Sequence, residues 1–318
     1  RVQDVGSSPA ARLIRGAFLF PRVTTSSSGE TMKRANVLGA ALVVASAVAT
    51  ATPAAAQAVG ADVGLFSSYV WRGLSLTNKP VAQPDLYVTF PAGKASVTLG
   101  GWANVDLGKY DDGANDISES GGTSAFNFAE FDPWAEISVP AGKATLTGGI
   151  TAYFYPNDGG LTSDFNTWEV YGKAAFDVPL APKIAAWYDI DKVKGLYVEG
   201  SISHSLPLGT KNSLSLGALA GFNAGQDADF DANGNPQAPF FNFADNGFTH
   251  LDLSAGMPLT AGSLSITPAF HFLINGDDFV KVTSPTKTHD VKAWGGVTIS
   301  WSKSYGAAAE EESGETSE

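Results

Sequence analysis

From Val63 onward, apolar and polar residues alternate one by one, in segments of about ten residues separated by Gly-, Pro- and Asp-rich connectors. Over 95–107, Val97, Leu99, Gly101, Ala103, Val105 and Leu107 fall on one face. Ser96, Thr98, Gly100, Trp102, Asn104 and Asp106 fall on the other. A period of two is the signature of a strand with unlike faces. The stretch 168–178 repeats it, with Trp168, Val170, Gly172, Ala174, Phe176 and Val178 against Glu169, Tyr171, Lys173, Ala175 and Asp177. So does the last segment, where Val291, Ala293, Gly295, Val297, Ile299 and Trp301 oppose Lys292, Trp294, Gly296, Thr298 and Ser300. Strands are predicted near 62–73, 84–91, 95–107, 127–139, 144–155, 166–178, 182–191, 195–206, 212–223, 247–257, 263–274 and 290–303.

The connectors sort by length. Short ones at 91–94, 140–143, 180–182, 208–211 and 259–262 alternate with long polar ones at 74–83, 108–126, 156–165, 224–246 and 275–289. Only 192–194 is short where a long loop is due. Strands of this length, even in number, with turns at one end and loops at the other, predict an all-β fold. The expected architecture is a transmembrane antiparallel up-and-down β-barrel of about twelve strands. Aromatics near the segment ends (Tyr69, Trp71, Phe126, Tyr153, Trp168, Phe270, Trp301) are expected as girdles at the two membrane interfaces.

Met32-Lys33-Arg34, an apolar run over 37–48 and a small-residue cleavage site at 54–58 read as a signal peptide over 32–58. Residues 1–31 read as an upstream extension, 59–305 as the barrel and 306–318 as an acidic tail. Six of the 20 basic and two of the 32 acidic residues lie in 1–57, so the remainder carries 14 bases against 30 acids. Such a surface excludes nucleic acid as a natural partner. The expected partners are the outer-membrane bilayer of a Gram-negative cell and small solutes, and no sequence feature identifies an oligomer interface. No apolar run beyond the leader is long enough for a membrane helix.

Ser68-Tyr69-Val70-Trp71-Arg72-Gly73-Leu74-Ser75, expected to open the first strand, resembles the leading motif of the TorF-type porins, a family of bacterial outer-membrane proteins. Glu130-Phe131-Asp132, Tyr153-Phe154-Tyr155-Pro156 and Glu169-Val170-Tyr171 follow in the order that family shows. The sequence departs from it in having Ser68 where an acid is common, and in the tail beyond the last aromatic strand. The resemblance implies an outer-membrane location and a porin role.

Some fifteen charges fall on the face opposite the apolar one, and at the bilayer midplane each base there would cost about 2–4 kcal/mol. They are therefore assigned to a lumen. Arg72, the one arginine of the barrel region, is expected among Glu130, Asp132 and Glu169 as their counter-ion, with Glu136, Lys173 and Asp252 on the same inner wall. An acidic lumen favours passive diffusion of cationic or neutral solutes, narrowed or plugged by the 224–246 loop. Asp227, Asp229, Asp231 and Asn233 place oxygen donors at alternate positions, making Ca²⁺ the candidate ion, although Ala232 and Ala238 stand where an EF-hand needs Gly and Glu. No other cofactor is expected. Two alternatives to the porin remain: a non-conducting structural or ion-binding barrel acting through its loops, and a hydrolase using His250, Asp252 or His271 with Ser254 or Ser265. No nucleophile-elbow motif accompanies the histidines, so no residue is assigned a catalytic role.

Overall fold

The computed structural model describes residues 58–112, 115–117, 125–158, 165–210, 212–227, 242–243, 245–276 and 291–305. The chain runs β1 (Ala58–Phe66), β2 (Val70–Trp71), β3 (Leu74–Ser75), β4 (Val81–Ala92), β5 (Ala95–Asp106), β6 (Asn127–Ala141), β7 (Ala144–Tyr153), β8 (Thr167–Phe176), β9 (Lys183–Asp189), β10 (Leu196–Leu208), β11 (Asn212–Ala224), β12 (Gly247–Gly256), β13 (Leu259–Ala261), β14 (Leu264–Asn275) and β15 (Val291–Ser304). One 3₁₀ turn at Pro156–Asp158 is the sole helical element among the described residues.

Neighbouring strands pair antiparallel from β4 to β12; β1 joins β4 to β15, and β12 joins β14. Following those pairings around returns to the start, so β1, β4 to β12, β14 and β15 form a closed ring of twelve. Closure leaves no strand edge and satisfies the backbone groups of every wall strand, which hydrocarbon requires. Ala58 and Ser304 are cross-strand partners, so the ring begins and ends at one rim, where the short turns also lie. The long connectors lie at the other.

Alternation and register then fix the faces. Outward side chains remain large, apolar and exposed all the way round: Leu65, Leu99, Ile137, Leu146, Val170, Ile184, Ile202, Leu216, Leu253, Phe270 and Ile299 among them. Water would not tolerate an apolar belt of that extent; lipid requires it. Ile202 is 45% exposed on this face, while its neighbour Ser203 faces inward opposite Gly217. Ile202→Arg should therefore lower the stability of vesicle-embedded protein by about 2–4 kcal/mol, and Ser203→Arg should stay within about 0.5 kcal/mol of the parent. Urea unfolding of the two variants measures the difference, and equal losses would reverse the assignment of faces.

Eleven predicted wall segments coincide with wall strands to within a few residues; the first does not. Instead of continuing to position 73, β1 ends at Phe66, whose cross-strand partner is Val81, and the residues between fold inward. Ser67 still donates its N–H to Gly295 O (2.9 Å). Beyond it, Arg72 and Gly73 take φ of 49° and 86°, the positive pair that a two-residue hairpin of type I′ demands. Alternation alone does not register the point where a chain leaves the wall. The girdle expectation also needs correction: Trp168, Phe270 and Trp301 face outward as exposed side chains, whereas Tyr69, Trp71 and Tyr153 pack inside.

Candidate functional site

The inward hairpin, β2 paired to β3 through Val70–Ser75 and Trp71–Leu74, is the centre of the site. Its base is tied by Leu76 N–H to Tyr69 O (2.9 Å) and Tyr69 N–H to Thr77 Oγ1 (3.0 Å). From there it touches walls in every direction. Tyr69 donates to Glu130 of β6 (3.0 Å) and its ring meets Trp102 of β5 at 5.5 Å. Lys292 of β15 donates to Ser68 Oγ and Ser75 Oγ, both at 2.7 Å. Gly73 lies against His250 of β12, where a Cβ would come within 2.8 Å of the imidazole. A segment that leaves the wall between β1 and β4 and contacts β5, β6, β12 and β15 must cross the lumen.

Its tip reaches the far wall. Arg72 binds Glu169 of β8 in a two-pronged pair, Nη1 to Oε1 at 2.8 Å and Nη2 to Oε2 at 2.6 Å, with side chains 6% and 2% exposed. Such fork-to-carboxylate geometry is the strongest ion pairing a protein makes. The guanidinium also lies over Trp71 (4.3 Å), Tyr197 of β10 (4.5 Å) and Trp187 of β9 (5.2 Å), each within cation–π range. Tyr153 of β7 donates to Glu169 Oε2 (2.7 Å), and Gln226 bridges the pair, giving Nε2 to Glu169 Oε1 (3.1 Å) and accepting from Arg72 at Oε1 (3.3 Å). Both Glu169 oxygens and both terminal guanidinium nitrogens therefore have partners, the condition under which a buried ion pair is tolerated. Arg72 is not a glycine, and holding it at positive φ costs about 1–2 kcal/mol; the cage outweighs that.

Of the three expected partners of Arg72, the structure supplies Glu169. Glu130 is engaged by Tyr69 instead, and Asp132 lies buried on the same face of β6. Glu136 and Lys173 meet lower down at 3.2 Å, with Tyr171 donating to the same Glu136 oxygen (3.0 Å). Asp252 accepts from or pairs with His271 Nδ1 (2.8 Å), and His271 stacks on Trp294 at 4.0 Å. Ser254 lies opposite His271 in register but leans over Gly217, and Ser265 sits at the turn end, 3.3 Å from Thr260. Asp177, expected on the inner wall, falls just past the end of β8. Asp227 lies 3.3 Å from Asn223; Asp229, Asp231 and Asn233 lie outside the described residues, as does most of the 224–246 loop. Two of its described residues help fill the lumen, Gln226 in the cage and Phe243 stacked on Tyr197 at 5.9 Å.

Exposure grades along the inner wall. At the loop end, Asp106, Glu130, Glu169, Asp189 and Asn223 are buried, Glu130 and Glu169 of them against the hairpin. At the turn end, inward-facing Thr145, Lys183, Ser203, Ser205 and Ser215 are exposed, so water enters from that rim. Between the two, aromatic rings lie flat over cross-strand glycines: Tyr171 covers Gly149, Trp134 covers Gly100 and Tyr87 covers Gly60, each leaving no room for a Cβ. Outside the wall, Lys79 pairs with Asp116 (2.8 Å), and that hydrogen bond holds the Asp116 carboxyl below the usual carboxylate range. The hairpin's outer end is thereby fastened to the segment 115–117.

A closed twelve-stranded barrel with an apolar exterior, a charged interior and a hairpin across its lumen is a bacterial outer-membrane β-barrel. The chain belongs to the Gcw_chp family, described as bacterial proteins of unknown function, whose model matches residues 50–228. No curated protein matches the sequence. Among solved structures, an outer membrane channel from Pseudomonas putida F1 is similar at 9% identity over 78% of this chain and 96% of that one, with a TM-score of 0.48. The translocator domain of the autotransporter NalP from Neisseria meningitidis is similar at 12% identity over 86% and 97% (TM-score 0.41). LpxR from Salmonella typhimurium is similar at 7% over 77% and 99% (TM-score 0.41).

Proposed function

We propose that the protein is a porin of the TorF type, a passive channel for small cationic or neutral solutes whose lumen is narrowed by the Arg72 hairpin. The observation that carries this is the gradient along the inner wall: exposed hydroxyls at the turn end lead to a layer of carboxylates at the hairpin. A graded polar interior of this kind gives solutes a path in from the turn end. Asp62, Asp85, Glu199 and Asp252 lie on the inner register below the hairpin, outnumbering Lys173 and Lys183 there. That balance attracts cations and repels anions. The His271–Asp252 contact we read as bracing Trp294, not as chemistry, because Ser254 leans the other way.

A second reading, a non-conducting barrel, is favoured by the hairpin's span from β6 to the far wall. Planar-bilayer recording under a salt gradient decides between them. The expected result is small discrete steps whose reversal potential has the sign for cations. Silence from protein with the heat-modifiable gel mobility of a folded barrel, and equally from Arg72→Ala protein, would favour the structural reading.

A further inference from the structure

The surroundings of Arg72 describe a recognition site as well as a latch. A carboxylate set for two-pronged pairing, three aromatic faces and an amide carbonyl converge on one planar cation, and all but Trp71 come from outside the hairpin. These are the features that distinguish a guanidinium from an ammonium: the fork matches two carboxylate oxygens while the flat cation stacks on rings. Resting on the channel reading above, we propose that Glu169, Trp187, Tyr197 and Gln226 form a binding site for small solutes carrying a guanidinium group, which open the lumen by displacing Arg72.

Arg72 then acts as a tethered stand-in for the solute. Tethering gives it an effective concentration on the order of millimolar, so an incoming guanidinium competes only when it is abundant, and it leaves again readily. Conduction needs that compromise between binding and release. Two features make displacement easier than it would be for an unstrained residue. Arg72 sits at a φ of 49°, which a free solute does not have to match, and Glu199 lies below the cage as the next carboxylate, 3.4 Å from Tyr197 Oη.

Calorimetric titration of Arg72→Ala protein with methylguanidinium tests the site. Binding about tenfold tighter than that of methylammonium at equal ionic strength, and lost when Glu169→Gln is added, is the expected result. Equal affinities, or indifference to Glu169→Gln, would overturn it. On the wild-type barrel, methylguanidinium at tens of millimolar should speed chymotrypsin cleavage between Tyr69 and Leu74 several-fold, and methylammonium should not. An unchanged rate would overturn displacement, and this measurement decides alone if Arg72→Ala fails to fold. The two failures are separable: a barrel that binds methylguanidinium selectively but never conducts keeps the site and loses the channel. One that conducts without discriminating keeps the channel and loses the site.

Discussion

Glu169→Gln is expected to raise the rate at which chymotrypsin cuts the folded barrel between Tyr69 and Leu74 by about 100-fold or more, with little change in the urea midpoint of the barrel itself. Removing one partner of a buried, fully hydrogen-bonded ion pair costs about 3–5 kcal/mol, because the other is left charged and dry. At 1.4 kcal/mol per factor of ten, that moves the docking equilibrium of the hairpin by two to three orders of magnitude. The loss falls on docking because the cheapest relief for Arg72 is to leave the cage and find water at the loop-end mouth. The twelve-strand ladder is untouched, so global unfolding barely registers it. Arg72→Met should act in the same direction. The double variant should be less exposed than the sum of the singles predicts, since it buries no unpaired charge. Additive effects would mean that Arg72 and Glu169 are neighbours without being the latch.

Much of this wall was legible beforehand. Strict alternation separates Glu169, Tyr171 and Lys173 from Val170 and Gly172, and the pairing registers place them on opposite faces as that pattern requires. The sorting of connectors by length foretold that the turns would share one rim with the chain's first and last strand ends and the long loops the other. Arg72 stood out because a lone arginine among acids must go somewhere, and Glu169 was among its expected partners. What escaped was the hairpin. Trp71-Arg72-Gly73-Leu74 alternates as a strand does, and the usual Asn-Gly or Asp-Gly mark of a type I′ turn is replaced by Arg-Gly. The rest of the cage escaped for a topological reason. Gln226 is 154 positions from Arg72, and only closure of the ring brings it across. Alternation puts Tyr171 on the inner face, but only the pairing register shows that it, like Trp134, covers a glycine one strand away.

Replacing residues 68–79 with a short Asn-Gly turn should raise single-channel conductance on the order of tenfold while keeping the reversal potential on the cation side. The replacement is geometrically mild, because Phe66 and Val81 already face each other across β1 and β4, the situation a two-residue hairpin closes. Eight strands leave an interior that side chains fill, whereas twelve enclose more than their own inward residues occupy. In this protein the surplus at the loop end is taken up by Tyr69, Trp71, Arg72 and Leu74. Removing them takes away the constriction together with the one cation that neutralises Glu169, so the freed layer of Glu130 and Glu169 gains net negative charge just as it widens. Wider pores ordinarily discriminate less; here the two changes oppose each other, and selectivity should persist until Glu130→Gln and Glu169→Gln are added. A folded hairpin-free barrel that conducts no better than the parent would place the constriction elsewhere, in the pieces that Gln226 and Phe243 represent.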